Sequence, residues 1–143
     1  MNSLNATLKK CVELRRIRKI MYIVNMNEDI HFEVLSKQGA EKVKVKHLIH
    51  KGAGAEKFTL RYFSVAEGGH TPLDRHLGEH EVFVMKGRAQ LKGIDWERTV
   101  GPGDAVFIAS NEVHQFLNSE SEPFEFLSVR GADELYSARE TAR

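Results

Sequence analysis

Two hydrophobic periods divide this chain. Leu8, Val12, Leu14, Ile17, Ile20 and Met21 recur at spacings near three and four, which predicts an amphipathic helix within residues 1–24. From residue 40 the period is two. Val43 and Val45 alternate with Lys42, Lys44 and Lys46, the pattern of a half-buried strand. Lys51 to Gly54 reads as a loop. Phe58 to Val65 is aromatic and β-branched and reads as a strand that Gly68-Gly69 ends. Glu81 to Met85 is a second such run, and Lys86-Gly87-Arg88 turns it into Ala89–Leu91. Gly93-Ile94-Asp95 precedes Trp96–Val100, and Gly101-Pro102-Gly103-Asp104 is a strong turn signal. Ala105–Ile108 and Val113–Leu117 flank Ser110-Asn111-Glu112, and Phe124–Val129 follows Pro123. About eight short strands with turn signals every 8–12 residues or so predict an all-β fold, a barrel or a sandwich. Residues beyond Asp133 read as a last helical turn or a frayed tail.

Charge sharpens the division. The net charge of +1 conceals a basic start. Residues 1–24 hold six basic side chains against Glu13, and the remaining residues hold 15 basic and 19 acidic ones. The body is therefore mildly acidic, which argues against a nucleic-acid surface. The basic start fits a partner-docking or membrane-surface helix, or more plainly an ill-ordered extension, with Met21 and Met26 as alternative translation starts. No apolar run reaches the roughly 20 residues that span a bilayer, and no signal-peptide order is present. One cysteine, Cys11, excludes an internal disulfide framework and suits a reducing cytoplasm.

Chemistry concentrates at Asp74-Arg75-His76-Leu77-Gly78-Glu79-His80. In extended backbone, residues two apart share a face, so Asp74, His76 and His80 share one and Glu81 takes the other. A carboxylate and two imidazoles are plausible metal ligands. His114 follows His80 after a hairpin and a turn, and a strand folding back brings it to the same ion. Of the other histidines, His70 is read as packing at a loop, and His31, His47 and His50 as solvated. Arg61 and Arg75 are read as exposed cations, with orientation of an anionic substrate as the alternative. Phe83, Met85, Phe107, Phe116 and Phe126 are read as core bulk. No nucleophile elbow occurs.

The stretch from Gly68 to Asn118 resembles the two motifs of the cupin superfamily. His76 takes the place of the second histidine of the first motif. His80 falls in its glutamate slot, six residues before Gly87. Gly103 begins the second motif, and His114 and Asn118 complete it. The string from Gly68 to Gly87 is also similar to small bacterial cupins in which a fourth histidine replaces the glutamate. Three positions depart from the pattern. Asp74 stands for the first histidine, Ser110-Asn111-Glu112 for the Pro-x-Gly turn, and the leading glycine is out of register. The resemblance runs from Lys51 to Arg130.

It implies an antiparallel jelly-roll barrel over residues 27–143, after a basic extension at 1–26. It also implies one divalent transition metal held by Asp74, His76, His80 and His114. Mn, Fe, Zn, Ni, Co and Cu suit such ligands, Mn and Fe foremost. The expected function is metal-dependent oxidation of a small molecule, foremost by a dioxygenase. A metal-dependent isomerase or lyase and a non-catalytic binding module are the alternatives. A cytoplasmic homodimer with no nucleic-acid or membrane partner is expected.

Overall fold

The structure, a computed structural model, describes residues 21–28 and 30–132. Residues 21–24 take no regular structure. The rest of the expected N-terminal helix, Cys11 and the tail from residue 133 lie outside the described residues. Nine strands and a 3-10 turn at Lys51–Ala53 follow. The strands are β1 (Glu33–Val34), β2 (Glu41–Ile49), β3 (Phe58–His70), β4 (His80–Lys86), β5 (Ala89–Lys92), β6 (Glu97–Val100), β7 (Ala105–Ile108), β8 (Gln115–Leu117) and β9 (Phe124–Gly131). All pair antiparallel, in the order β6-β5-β8-β3-β9-β4-β7, with β2 also on β3 and β1 on β2. The fold is thus all-β, a curled sheet of jelly-roll type. Among the described residues no helix is long and apolar enough to cross a membrane.

The expected stop at Gly68-Gly69 is a bend instead, and β3 runs on to His70. Phe58–Val65 pair with β9, whereas His70 pairs with Leu117 of β8 and with Glu41 of β2. Glycine makes this bend feasible. Gly68 has a φ of +73°, and a Cβ on Gly69 would lie 2.7 Å from the Glu41 carbonyl oxygen. Asn118 secures the bend by accepting from the Gly68 N–H and donating its own N–H to the Gly69 carbonyl. Its side-chain amide donates to the Val65 and Glu122 carbonyls.

Alternation along the strands builds a graded interior. On β9, Phe124, Phe126, Ser128 and Arg130 are buried in turn. On β4 the buried positions are His80, Val82 and Val84. Cross-strand register sets Val84 and Phe63 beside Phe126, Val82 and Arg61 beside Ser128, and His80 beside Arg130. One end of the interior is therefore apolar and the other polar. Phe126 stacks on Phe63 at 4.9 Å between ring centroids and packs on Phe116 and Phe124 at 5.1 and 5.2 Å. Burying each such ring contributes roughly 2–3 kcal/mol.

The same alternation overturns part of the core assignment. Phe83, Met85 and Phe107 are 47%, 41% and 59% exposed, because the inward positions of β4 belong to the even-numbered residues and Phe107 pairs with outward Glu81. Phe116 and Phe126 are buried as expected. The two-residue β1 was too short to show a period. The chain before it crosses the outer face of β2 and β3, where Lys46 donates to the Met26 carbonyl and lies over the Phe32 ring.

Candidate metal centre

His80 opens β4 and enters the barrel on the face of Val82 and Val84. His76 stands in the loop from β3 to β4, and His114 just before β8. Backbone hydrogen bonds lace these loops together. Asp74 and His114 exchange N–H to carbonyl bonds of 3.0 Å in both directions. The Asn111 N–H donates to the His76 carbonyl at 2.7 Å, and the Gly78 N–H to the Ser110 hydroxyl at 3.0 Å. Asn111 has a φ of +65°. It supplies the left-handed turn that the missing Pro-x-Gly would have made, a conformation asparagine tolerates better than most residues. The loop is not extended as the parity reading assumed. It bends at Gly78, with φ +88°, and this bend turns His76 back toward His80.

The three rings converge. Their centroids lie 5.7 Å (His76–His80), 5.1 Å (His76–His114) and 5.7 Å (His80–His114) apart. One ring nitrogen of each lies within 4.8 Å of the other two. Hydrogen bonds decide which nitrogens face inward. Nδ1 of His76 meets the Leu77 carbonyl at 3.2 Å, and Nδ1 of His114 meets the Glu112 carbonyl at 2.9 Å. A carbonyl only accepts, so each Nδ1 carries the proton and each Nε2 offers its lone pair. His80 is reversed. Its Nε2 bonds the Ser128 hydroxyl at 2.5 Å, and its buried Nδ1 has no hydrogen-bond partner among the described residues. Leaving a buried polar atom unpaired costs about 1–3 kcal/mol. A cation at the centre of the triad removes that penalty, so these residues fit a divalent transition metal.

Electrostatics keeps two of the rings ready. Burial, then the charges of Arg130 and Arg61, push His80 down to about 2. Burial and Arg130 also hold His76 below the usual imidazole range. Both are neutral near pH 7, the form that binds metal. A pH dependence follows. Below pH 6.5 the unfolded His80 takes up a proton that the folded ring refuses. Metal-free protein should therefore lose stability as pH falls, by about 1.4 kcal/mol per unit from this residue. Between pH 6.5 and 4.5 that amounts to roughly 2–3 kcal/mol. Denaturant unfolding of wild type and His80→Gln at both pH values checks it, and equal slopes would refute it.

Asp74 stands apart from the triad. Its carboxylate pairs with Lys37 and accepts from the Arg75 N–H. Burial alone would raise its pKa, but Lys37 and that N–H outweigh burial and hold the carboxyl below its usual value. The structure thus brings together three of the four expected ligands, with Asp74 turned to Lys37 beside them. His70 is the last residue of β3 and not in a loop, with its Nδ1 3.1 Å from the Thr71 carbonyl, and His31, His47 and His50 are exposed. Arg61 departs from its expected exposure. It is partly buried, lies over the Phe63 ring at 4.9 Å and lines the site. Arg75 is exposed at the rim. Ser128, Arg130 and Lys37 were missed. The signal for the first two was the parity of Phe124, Phe126, Ser128 and Arg130. Lys37 carries no local signal. The triad, Asp74, Lys37, Arg61, Arg75 and Arg130 line a cavity of about 500 Å³, with Phe63, Phe116 and Phe126 as its apolar wall.

The cupin domain family matches residues 61–130. The structure of the polyketide cyclase RemF from Streptomyces resistomycificus is similar with a TM-score of 0.75 and 32% identity, over 79% of this chain and 80% of that one. Rru_A2000 from Rhodospirillum rubrum, a cupin-2 domain, is similar with a TM-score of 0.68 and 28% identity, over 84% and 80%. Among curated proteins, the 1-methylthio-D-xylulose 5-phosphate methylsulfurylase of Rhodospirillum rubrum is 38% identical over 74 residues. That match covers 52% of this chain and 47% of the relative, so the chain spans about half the length of the curated relative it matches. Motif spacing, strand order and these likenesses agree, and this chain belongs to the cupin family, in its cupin-2 branch.

Proposed function

We propose that this chain is a metal-dependent enzyme that acts on a small oxygen-bearing molecule, foremost as an oxidoreductase of the dioxygenase kind. The observation that carries the reading is the histidine triad lining a partly apolar cavity. A manganese or iron ion there would supply open coordination positions for substrate and O₂ and a route for electrons between them. His76, His80 and His114 hold the ion. Ser128 fixes the ring of His80, and the Leu77 and Glu112 carbonyls fix the other two. Phe63, Phe116 and Phe126 keep water from one side of the substrate. Asp74 acts as a positioning residue, since its backbone clamps His114 while Lys37 occupies its carboxylate.

A second reading makes the same centre a Lewis acid, as in an isomerase or lyase. It is favoured by two of the relatives above 30% identity, one a polyketide cyclase and one named for a 5-phosphate sugar. An oxygen electrode separates the two. Protein loaded with iron or manganese is mixed with diketone, catechol and sugar-phosphate candidates, in air and without oxygen. Oxygen uptake matching substrate loss supports the dioxygenase. Turnover that persists without oxygen overturns it in favour of the Lewis acid. Stoichiometric binding with no turnover in either condition overturns both in favour of a binding module.

A further inference from the structure

We propose that the cavity beside the histidine triad is built for a compact molecule carrying one carboxylate or phosphate, whose oxyanion is held by Arg61 and Arg130. The inference deepens the proposed function and rests on that reading only for the oxygens that face the metal.

Charge is the first observation. The cavity is lined by four cationic side chains, Lys37, Arg61, Arg75 and Arg130, and by one acid, Asp74. Among the described residues, four cations against one acid leave a formal charge of +3 on the lining before any metal is bound. Asp74 is already engaged by Lys37 and the Arg75 N–H.

Placement is the second. Arg61 on β3 and Arg130 on β9 both point inward, at the level where the interior turns polar. Arg130 is only 9% exposed. The Nε of Arg61 is buried with no hydrogen-bond partner among the described residues. Burial, then the charge of Arg130, bring Arg61 down to about 10. An unpartnered buried nitrogen like the Arg61 Nε is costly, and an oxyanion that accepts from it removes the cost. Arg130 also stands opposite His80 in the β4–β9 register, and both arginines line the same cavity as the triad. An anion beside them therefore sits next to the triad.

Chemistry narrows the ligand. A guanidinium presents a planar fork of donors that matches carboxylate or phosphate oxygens in pairs. The wall of Phe63, Phe116 and Phe126 favours a compact carbon skeleton over a bare, hydrated ion. A cavity of about 500 Å³ admits a molecule of metabolite size.

The test uses the full chain, metal-free and metal-loaded, titrated calorimetrically with malonate and with glycerol 3-phosphate. Wild type should bind one equivalent of at least one of them without metal. Arg61→Gln should weaken that binding at least tenfold. Arg61→Lys, which keeps the charge and loses the fork, should fall between. Lys86→Gln, far from the cavity, should bind as wild type. Tighter malonate binding assigns a carboxylate, and tighter glycerol phosphate binding a phosphate. Failure of both anions to bind wild type, or equal affinity in wild type and Arg61→Gln, overturns the proposal. Should Arg61→Gln fail to fold, undiminished affinity in Arg61→Lys overturns it instead. Metal content is measured on the same preparations. Metal without anion binding sinks this proposal alone, and anion without metal binding sinks the metal reading alone.

Discussion

Replacing His80 with alanine is expected to lower metal affinity by on the order of 10²–10³-fold while the barrel stays folded. Apparent binding energies of about 10–16 kcal/mol for four-ligand zinc sites imply roughly 2.5–4 kcal/mol per ligand. His80 should lie at or above that average, since its ring is positioned before the ion arrives. Ser128 holds one nitrogen, and the other is buried with no partner among the described residues. Alanine should not unfold the chain, because the substitution also removes the unpaired nitrogen. Metal content after dialysis, with competition against a chromophoric chelator, measures the loss. Stoichiometric metal that survives unchanged would refute the triad as the binding site.

Phe126→Ala is expected to cost about 3–5 kcal/mol, the range for deleting a buried aromatic ring. The residue is 2% exposed and touches the rings of Phe63, Phe116 and Phe124. Four rings in contact leave little room for collapse around the gap. For a chain of this length the thermal midpoint should fall by roughly 10–15 °C. Phe107→Ala is the matched control. Its ring is 59% exposed on the outer face of β7, and its loss should cost under about 1 kcal/mol. Thermal unfolding of both variants, free of metal, decides the point. Similar losses would contradict the inward and outward assignment of the strands.

The contrast between these two phenylalanines shows where local reading stops. Both occupy strands that the period-two pattern predicted. Which face of a strand is buried depends on what pairs beside it. Val82 and Val84 had already claimed the inner face of β4, so Phe83 was left outside, and Phe107 shares its side by pairing with Glu81. Asn111 is a milder case. The missing Pro-x-Gly was visible in the chain, and asparagine at φ +65° is a local remedy. The parity argument for Asp74, His76 and His80 assumed extended backbone, whereas the bend at Gly78 is what turns His76 toward His80.

The chain by itself determined the strands, most of the turns and the histidines that form the candidate metal centre. Period, turn residues and motif spacing are properties of a few adjacent residues, or of a pattern that a family repeats. Tertiary structure alone decided the company those histidines keep. Ser128 reaches His80 from 48 residues away, and Lys37 reaches Asp74 from 37. Arg61 and Arg130 meet because β3 and β9 pair antiparallel, and no local pattern encodes that meeting. Long-range pairing sets which side chains share the low-dielectric interior. That in turn settles that His80 stays neutral, that Asp74 faces a lysine and that the cavity is positively charged.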